Sequence, residues 1–186
     1  VIPCEIFGVH SGNTTRGHRF HCPEPFNLSS PKTYADALKN QGYVIVDFDQ
    51  RKQMILDSVA LVTKNATDGK GTAVIKPELL DEVTALVEWP IALIGTFETR
   101  FLDVPQEALI STMQDNQKYF PIVDQAGKLQ PQFCFITNIE SKAPQAVIDG
   151  NERVIRPRFS DAEFFWNTDK KGRLEDHLPK LEQVVF

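Results

Sequence analysis

The sequence predicts an α+β fold, a mixed sheet flanked by helices. Strand-like and helix-like segments intermix without the strict βαβ alternation of a parallel sheet. Asp124 and Gly127 sit between two apolar runs, which is a hairpin signal with glycine available for the left-handed position. Several helical patterns open on starting residues: Ser30 before Pro31, Asp47, Pro77 and Pro105.

In chain order, residues 1–9 read as a strand, with Pro3 marking an edge. Ser11, Gly12 and Asn13 form a turn signal, and 17–20 a second strand. Ser30 caps a helix that Gly42 stops. Residues 43–46 make a short apolar strand. Asp47 then caps a helix over 50–66, with Gln50 three residues on and Ile55, Val59 and Val62 on the buried face. Residues 67–71 form a loop. Pro77 opens a helix carrying Leu79, Leu80, Val83, Leu86 and Val87, and the Trp89-Pro90 pair ends it. A strand covers 91–98, interrupted by Gly95. Pro105 opens a helix with Ala108, Leu109 and Met113. The hairpin joins 119–123 to 133–137. From Pro144 to Val185 the pattern is helical, broken at Pro157 and restarted by a capping box from Ser160 to Glu163. The expected division is a core at 1–143 and a helical extension at 144–186.

The chain has 186 residues, the scale of one domain. Hydrophobic residues at 41% and charged residues at 24% exclude a disordered or collagenous chain. No apolar run reaches the ~18 residues that span a membrane. A net charge of −5 argues against an autonomous nucleic-acid module, although a local patch is compatible with it. Cys4, Cys22 and Cys134 form no disulfide framework, and free thiols fit a reducing cytoplasm. Leu174, Leu178, Leu181 and Val185 fall at helical spacing and run into an apolar close. A helix face without a partner reads as a piece of a longer protein.

Four constellations bear on chemistry. The GKGT stretch at 69–72 lacks the earlier glycine of a phosphate loop and reads as a surface loop. His18, His21 and Cys22 are good zinc ligands, yet a closed site needs four ligands and no second pair follows. The same cysteine and a histidine have the atoms for a nucleophile and base, though the spacing does not single them out over packing. Asp176 and His177 are adjacent, in the reverse order of an HD metal motif and without further ligands. Charge is also uneven. Glu78, Asp81, Glu82, Glu88, Glu98, Asp103 and Glu107 face only Arg100 within 78–107, a stretch that repels phosphate. Arg153, Arg156 and Arg158 cluster around Pro157, and Arg16 and Arg19 lie near the first turn. Arginine forks suit phosphate, but they equally suit salt bridges to the acidic stretch.

The segment 150–166 (GNERVIRPRFSDAEFFW) closely resembles the beta subunit of bacterial heterotetrameric glycyl-tRNA synthetase. Segments 16–20 (RGHRF), 86–90 (LVEWP), 112–121 (TMQDNQKYFP), 138–142 (NIESK) and 174–181 (LEDHLPKL) agree with it in order. The resemblance covers essentially the whole chain. It implies a cytoplasmic aminoacyl-tRNA synthetase, a ligase of protein biosynthesis that joins glycine to tRNA(Gly) using ATP. ATP and Mg would belong to the catalytic alpha subunit, and this segment would hold no cofactor, metal or catalytic residue of its own. It would come from the N-terminal half of the beta chain, have a B3/B4-like fold, and contact tRNA through Arg16, Arg19, Arg153, Arg156 and Arg158. Two other roles stay open: a hydrolytic editing-like domain around Cys22, and a scaffold between beta-subunit domains.

Overall fold

A computed structural model describes residues 2–181 of the chain. The expected helix through Val185 therefore lies partly outside the described residues. At the centre is a four-stranded sheet formed by β5 (Gly71–Ala73), β6 (Ile91–Thr96), β7 (Phe120–Asp124) and β8 (Leu129–Thr137), in the order β5-β7-β8-β6. The α+β class holds, and each pairing in this sheet is antiparallel. The β7–β8 hairpin turns at Gly127, whose φ of 77° favours glycine. Gly95 does not interrupt β6. It pairs with Phe133, and the ring lies where a side chain at 95 would stand, 2.5 Å from a Cβ built there.

Side chains alternate across β8, so the sheet has two buried faces. Cys134 and Phe120 point to one face. There they meet Ile55 and Val59 of α2 (Phe48–Ala66) and Leu79, Leu80 and Val83 of α3 (Pro77–Leu86). Phe133 and Phe135 point to the other. They meet Phe101, Leu109 and Met113 from the segment between β6 and β7, together with Ile155 and Phe159 of α5 (Pro144–Asp169). The result is three layers, with helices on both sides of an antiparallel sheet. The segment that the sequence sets apart as an extension thus places two fully buried side chains against the sheet.

The capping signals at 30 and 47 are realised. Ser30 accepts from the Lys32 N–H at 3.2 Å, ahead of a 3-10 turn and α1 (Tyr34–Asn40), and Asp47 accepts from the Gln50 N–H at 2.7 Å. Beyond α4 (Gln106–Ser111) the chain widens into a π turn, Thr112–Asn116.

Several expectations are corrected. Residues 1–9 hold a small hairpin rather than one strand: β1 (Glu5–Ile6) pairs with β2 (Val9–His10) through a turn at Phe7 and Gly8, both with positive φ. Residues 17–20 form no strand; β3 (Thr14–Thr15) precedes them and pairs with β4 (Phe26–Asn27). Residues 43–46 form no strand, and Tyr43 has a positive φ of 56°, although Ile45 is buried and its N–H reaches the Glu88 carbonyl at 2.9 Å. Most notably, α5 runs unbroken for 26 residues through Pro157, and Ser160 caps nothing. Pro157 is exposed, as is Arg153, whose carbonyl loses its helical partner, so water can satisfy the freed oxygen. Ile155 and Phe159 on either side are fully buried and hold the helix onto the sheet across the proline. After α5, a 3-10 turn (Leu174–His177) leads into α6 (Leu178–Leu181).

Candidate nucleic-acid interface

Three segments far apart in sequence, 16–20, 86–90 and 138–142, meet at one place. His18 is the centre of it and is fully buried. Its Nε2 donates to the Asn138 carbonyl at 2.5 Å. Its Nδ1 accepts from the N–H groups of Phe20 and His21, each at 3.3 Å. Those are the donors that a helix N-cap side chain would satisfy, so the imidazole closes a tight turn over 18–22. The Cys22 N–H completes the turn by donating to the His18 carbonyl at 2.8 Å.

Asn138 links the other two segments. Its side-chain oxygen accepts from the N–H groups of Glu88 and Trp89 at 2.7 and 2.9 Å, while its carbonyl takes the His18 proton. His21 Nε2 accepts from the Glu140 N–H at 3.0 Å. The rings of His21, Tyr43 and Trp89 follow one another at centroid spacings of 5.0 and 5.3 Å. Gly17 makes the junction possible. A Cβ there would stand 2.4 Å from the Gly42 carbonyl oxygen, which instead accepts the His18 N–H at 2.6 Å.

This turn shows Arg19 and Phe20 to solvent, and Arg16, just before it, is exposed as well. Both arginines are exposed, and among the described residues neither belongs to an ion pair. The Arg19 guanidinium lies 5.4 Å from the Phe20 ring centroid, yet Phe20 remains 68% exposed.

The arginines of α5 stand differently. Arg156 Nε donates to Glu98 Oε1 at 2.6 Å. Arg158 Nη1 donates to the Val154 carbonyl at 2.7 Å, one turn back on its own helix. Arg153 is exposed and in no ion pair among the described residues. The acidic stretch is also engaged: Lys52 pairs with Asp81 at 2.5 Å and Lys118 with Glu82 at 2.9 Å, while its own Arg100 pairs with Glu163 of α5 at 2.5 Å. Beneath α5, the Tyr119 hydroxyl donates to Asn151 Oδ1 at 2.7 Å. Burial pushes that hydroxyl above its usual pKa, and the positive charge of Arg158 partly offsets the rise.

Among the described residues no side-chain hydrogen bond joins the Cys22 thiol to His18 or His21. Both His18 nitrogens are occupied, and Cys22 Sγ lies 3.6 Å from the Glu24 carbonyl. Among the described residues no group of three or more His, Cys, Asp or Glu side chains is placed to hold a metal ion. No helix among them is long and apolar enough to cross a membrane.

The family described as glycyl-tRNA synthetase beta subunit matches residues 1–186. This chain belongs to that family. A glycine–tRNA ligase beta subunit from Hahella chejuensis is 58% identical over all 186 residues, which are 26% of its length. Those from Pseudomonas aeruginosa LESB58 and Marinobacter nauticus are 51% identical over the whole chain, which covers 27% of each. The chain therefore spans about a quarter of the length of these synthetase relatives.

Three of the six motifs that carried the resemblance in sequence, 16–20, 86–90 and 138–142, are neighbours in space, at the His18–Asn138 junction. Sequence reasoning picked out Arg16, Arg19, His18, His21 and Cys22 but missed Asn138, Phe20 and the Gly17–Gly42 approach. The one signal for Asn138 was that it opens a motif. Glycines 25 positions apart carry no pattern that marks their contact.

Proposed function

We propose that this chain is a non-catalytic, tRNA-contacting part of a cytoplasmic glycine–tRNA ligase, which joins glycine to tRNA(Gly) with ATP. ATP and Mg act in the alpha subunit, the partner in a heterotetramer. The observation that carries the reading is the state of Arg16 and Arg19. Both are exposed and lack ion-pair partners among the described residues; Arg19 sits on the turn whose backbone His18 fixes, and Arg16 lies two residues before that turn. Guanidinium forks left free on a pre-organised turn suit phosphate oxygens. Arg153 is the corresponding free group on α5, while Arg156 and Arg158 have internal partners.

A purely structural role is the second reading. It is favoured by the way Asn138 ties three motif segments together. The test uses the complete heterotetramer carrying Arg16→Ala and Arg19→Ala together. The KM for tRNA should rise with glycine activation nearly unchanged, because activation needs no tRNA. The salt dependence of tRNA binding should weaken by about 0.7–0.9 in log–log slope per phosphate contact removed. A folded double variant with wild-type tRNA KM and slope leaves the scaffold reading in place.

A further inference from the structure

Phe20 is the one large side chain of the turn that neither the junction nor the core uses. Covering an aromatic ring is favourable by about 25 cal/mol per Å² of apolar area removed from water. This one is 68% exposed although the buried His18 ring is 6.1 Å away and the Arg19 guanidinium 5.4 Å away. Its backbone is not free to wander, because the Phe20 N–H is held by His18 Nδ1 and the turn is closed from Cys22 to His18. A flat apolar face is thus presented to solvent on a backbone whose ordering cost the fold has already met.

We propose that Phe20 is a stacking platform for an unpaired base of the tRNA, with Arg19 and Arg16 holding the flanking phosphates. The proposal rests on the tRNA-contact reading above and adds the chemistry of the contact: an unstacked nucleobase rather than duplex backbone alone. Bases splayed from loops and single-stranded ends stack on aromatic side chains and on guanidinium planes, and both are present here. An apolar protein partner fits less well, since covering Phe20 would strip water from two guanidinium groups that have no carboxylate in ion-pair contact among the described residues. Glu88 and Glu140 stand at the same junction and temper its positive field. The aromatic face, more than net charge, therefore makes the site.

The exposed pair on α5 differs. Phe164 and Phe165 pack edge to face on each other, with centroids 5.6 Å apart and rings at 72°, and among the described residues no cation lies over either ring.

The experiment compares Phe20→Ala and Phe20→Trp with the Arg16→Ala/Arg19→Ala variant in the complete ligase. The probe is a tRNA(Gly) transcript, with a fully paired RNA duplex as control. Phe20→Ala should weaken transcript binding about tenfold with an unchanged salt slope, and should leave duplex binding alone. Phe20→Trp should bind as the wild type does and show a fluorescence change on adding transcript beyond that of the native tryptophans. If Phe20→Ala binds transcript normally while the arginine variant does not, the platform is refuted and the tRNA reading survives. If both bind normally, both fail. If Phe20→Ala instead breaks the ligase into subunits in sedimentation, the ring is a protein contact and the platform is refuted.

Discussion

Arg16 and Arg19 lie in and just before a turn without regular secondary structure, while Arg153, Arg156 and Arg158 ride the longest helix of the chain. The irregular region is nevertheless the more closely specified of the two at its backbone. Its N–H groups bond to His18, the His18 N–H bonds to Gly42, and Asn138 and Glu140 close over it. Yet its charges are free. The helix is regular, and it engages two of its three arginines, Arg156 with Glu98 and Arg158 with the Val154 carbonyl, leaving Arg153 without an ion pair among the described residues. Backbone order and charge availability are thus separate properties. A cluster of arginines in sequence says nothing of whether the guanidinium groups are left for a ligand.

The strongest way to break this contrast is to break the junction. Gly17→Ala places a methyl group 2.4 Å from the Gly42 oxygen, where the obstacle is backbone and cannot rotate away. We expect a loss of about 2–3 kcal/mol in chemical denaturation. Limited proteolysis should cleave first within residues 1–30, and α5 should be untouched. An unchanged midpoint together with an unchanged cleavage pattern would show that the approach is slack and the turn is not held as described.

The same two regions show why some of the fold was legible in the sequence and some was not. Caps at Ser30 and Asp47, the Pro77 start and the Gly127 hairpin are local signals, and local bonds realise them. Pro157 is a local signal too, but it was overridden. Ile155 and Phe159 bury on either side, and the carbonyl it frees faces water. The three-residue strand β5 and the His18–Asn138 bond could not be read, since their partners are roughly 50 and 120 residues away and neither side carries a periodic pattern. The arginine candidates were identifiable as residues, while their occupancy depended on tertiary neighbours such as Glu98.

A second, intermediate test uses the thiols as reporters of the two kinds of region. Cys22 lies in the junction turn, and Cys134 lies in the sheet between both helical layers. Burial pushes the Cys134 thiol up from 9.0 to about 12. Between those values the unfolded chain has released the proton and the folded chain has not, so stability falls as pH rises through this window. Below pH 9 the thiol contributes no pH dependence. The expected result is a stability loss from pH 9 upward that is shallower in Cys134→Ala, measured by urea denaturation at each pH. At pH 8 a thiol reagent should label exposed Cys4 at once and Cys134 only on global unfolding. Rapid labelling of Cys134 in the native protein would mean that the sheet opens as readily as the turn.

The smallest expected effect is the sharpest on the arginines themselves. In Arg156→Ala the side chain lost is about half exposed, at 54%, and its partner Glu98 is 40% exposed. Water screens such a pair, so the loss of stability should be below about 1 kcal/mol. Glu98 adds a detail, because its Oε2 is buried without a hydrogen-bond partner and the carboxylate then loses Arg156 as well. Arg156→Ala should therefore cost slightly more than Arg153→Ala, whose side chain has no ion pair among the described residues to lose. The tRNA measurements should run the other way. Arg153→Ala should reduce the salt slope of tRNA binding, as the Arg16 and Arg19 changes do, and Arg156→Ala should leave it alone. Glu98→Gln separates the two roles, since it weakens the pair while keeping the guanidinium. If Arg156→Ala lowers the slope and Glu98→Gln strengthens tRNA binding, then Glu98 is a competitor that tRNA displaces. The helix arginines would then be a reserve of charge, and the contrast with the turn would be one of degree.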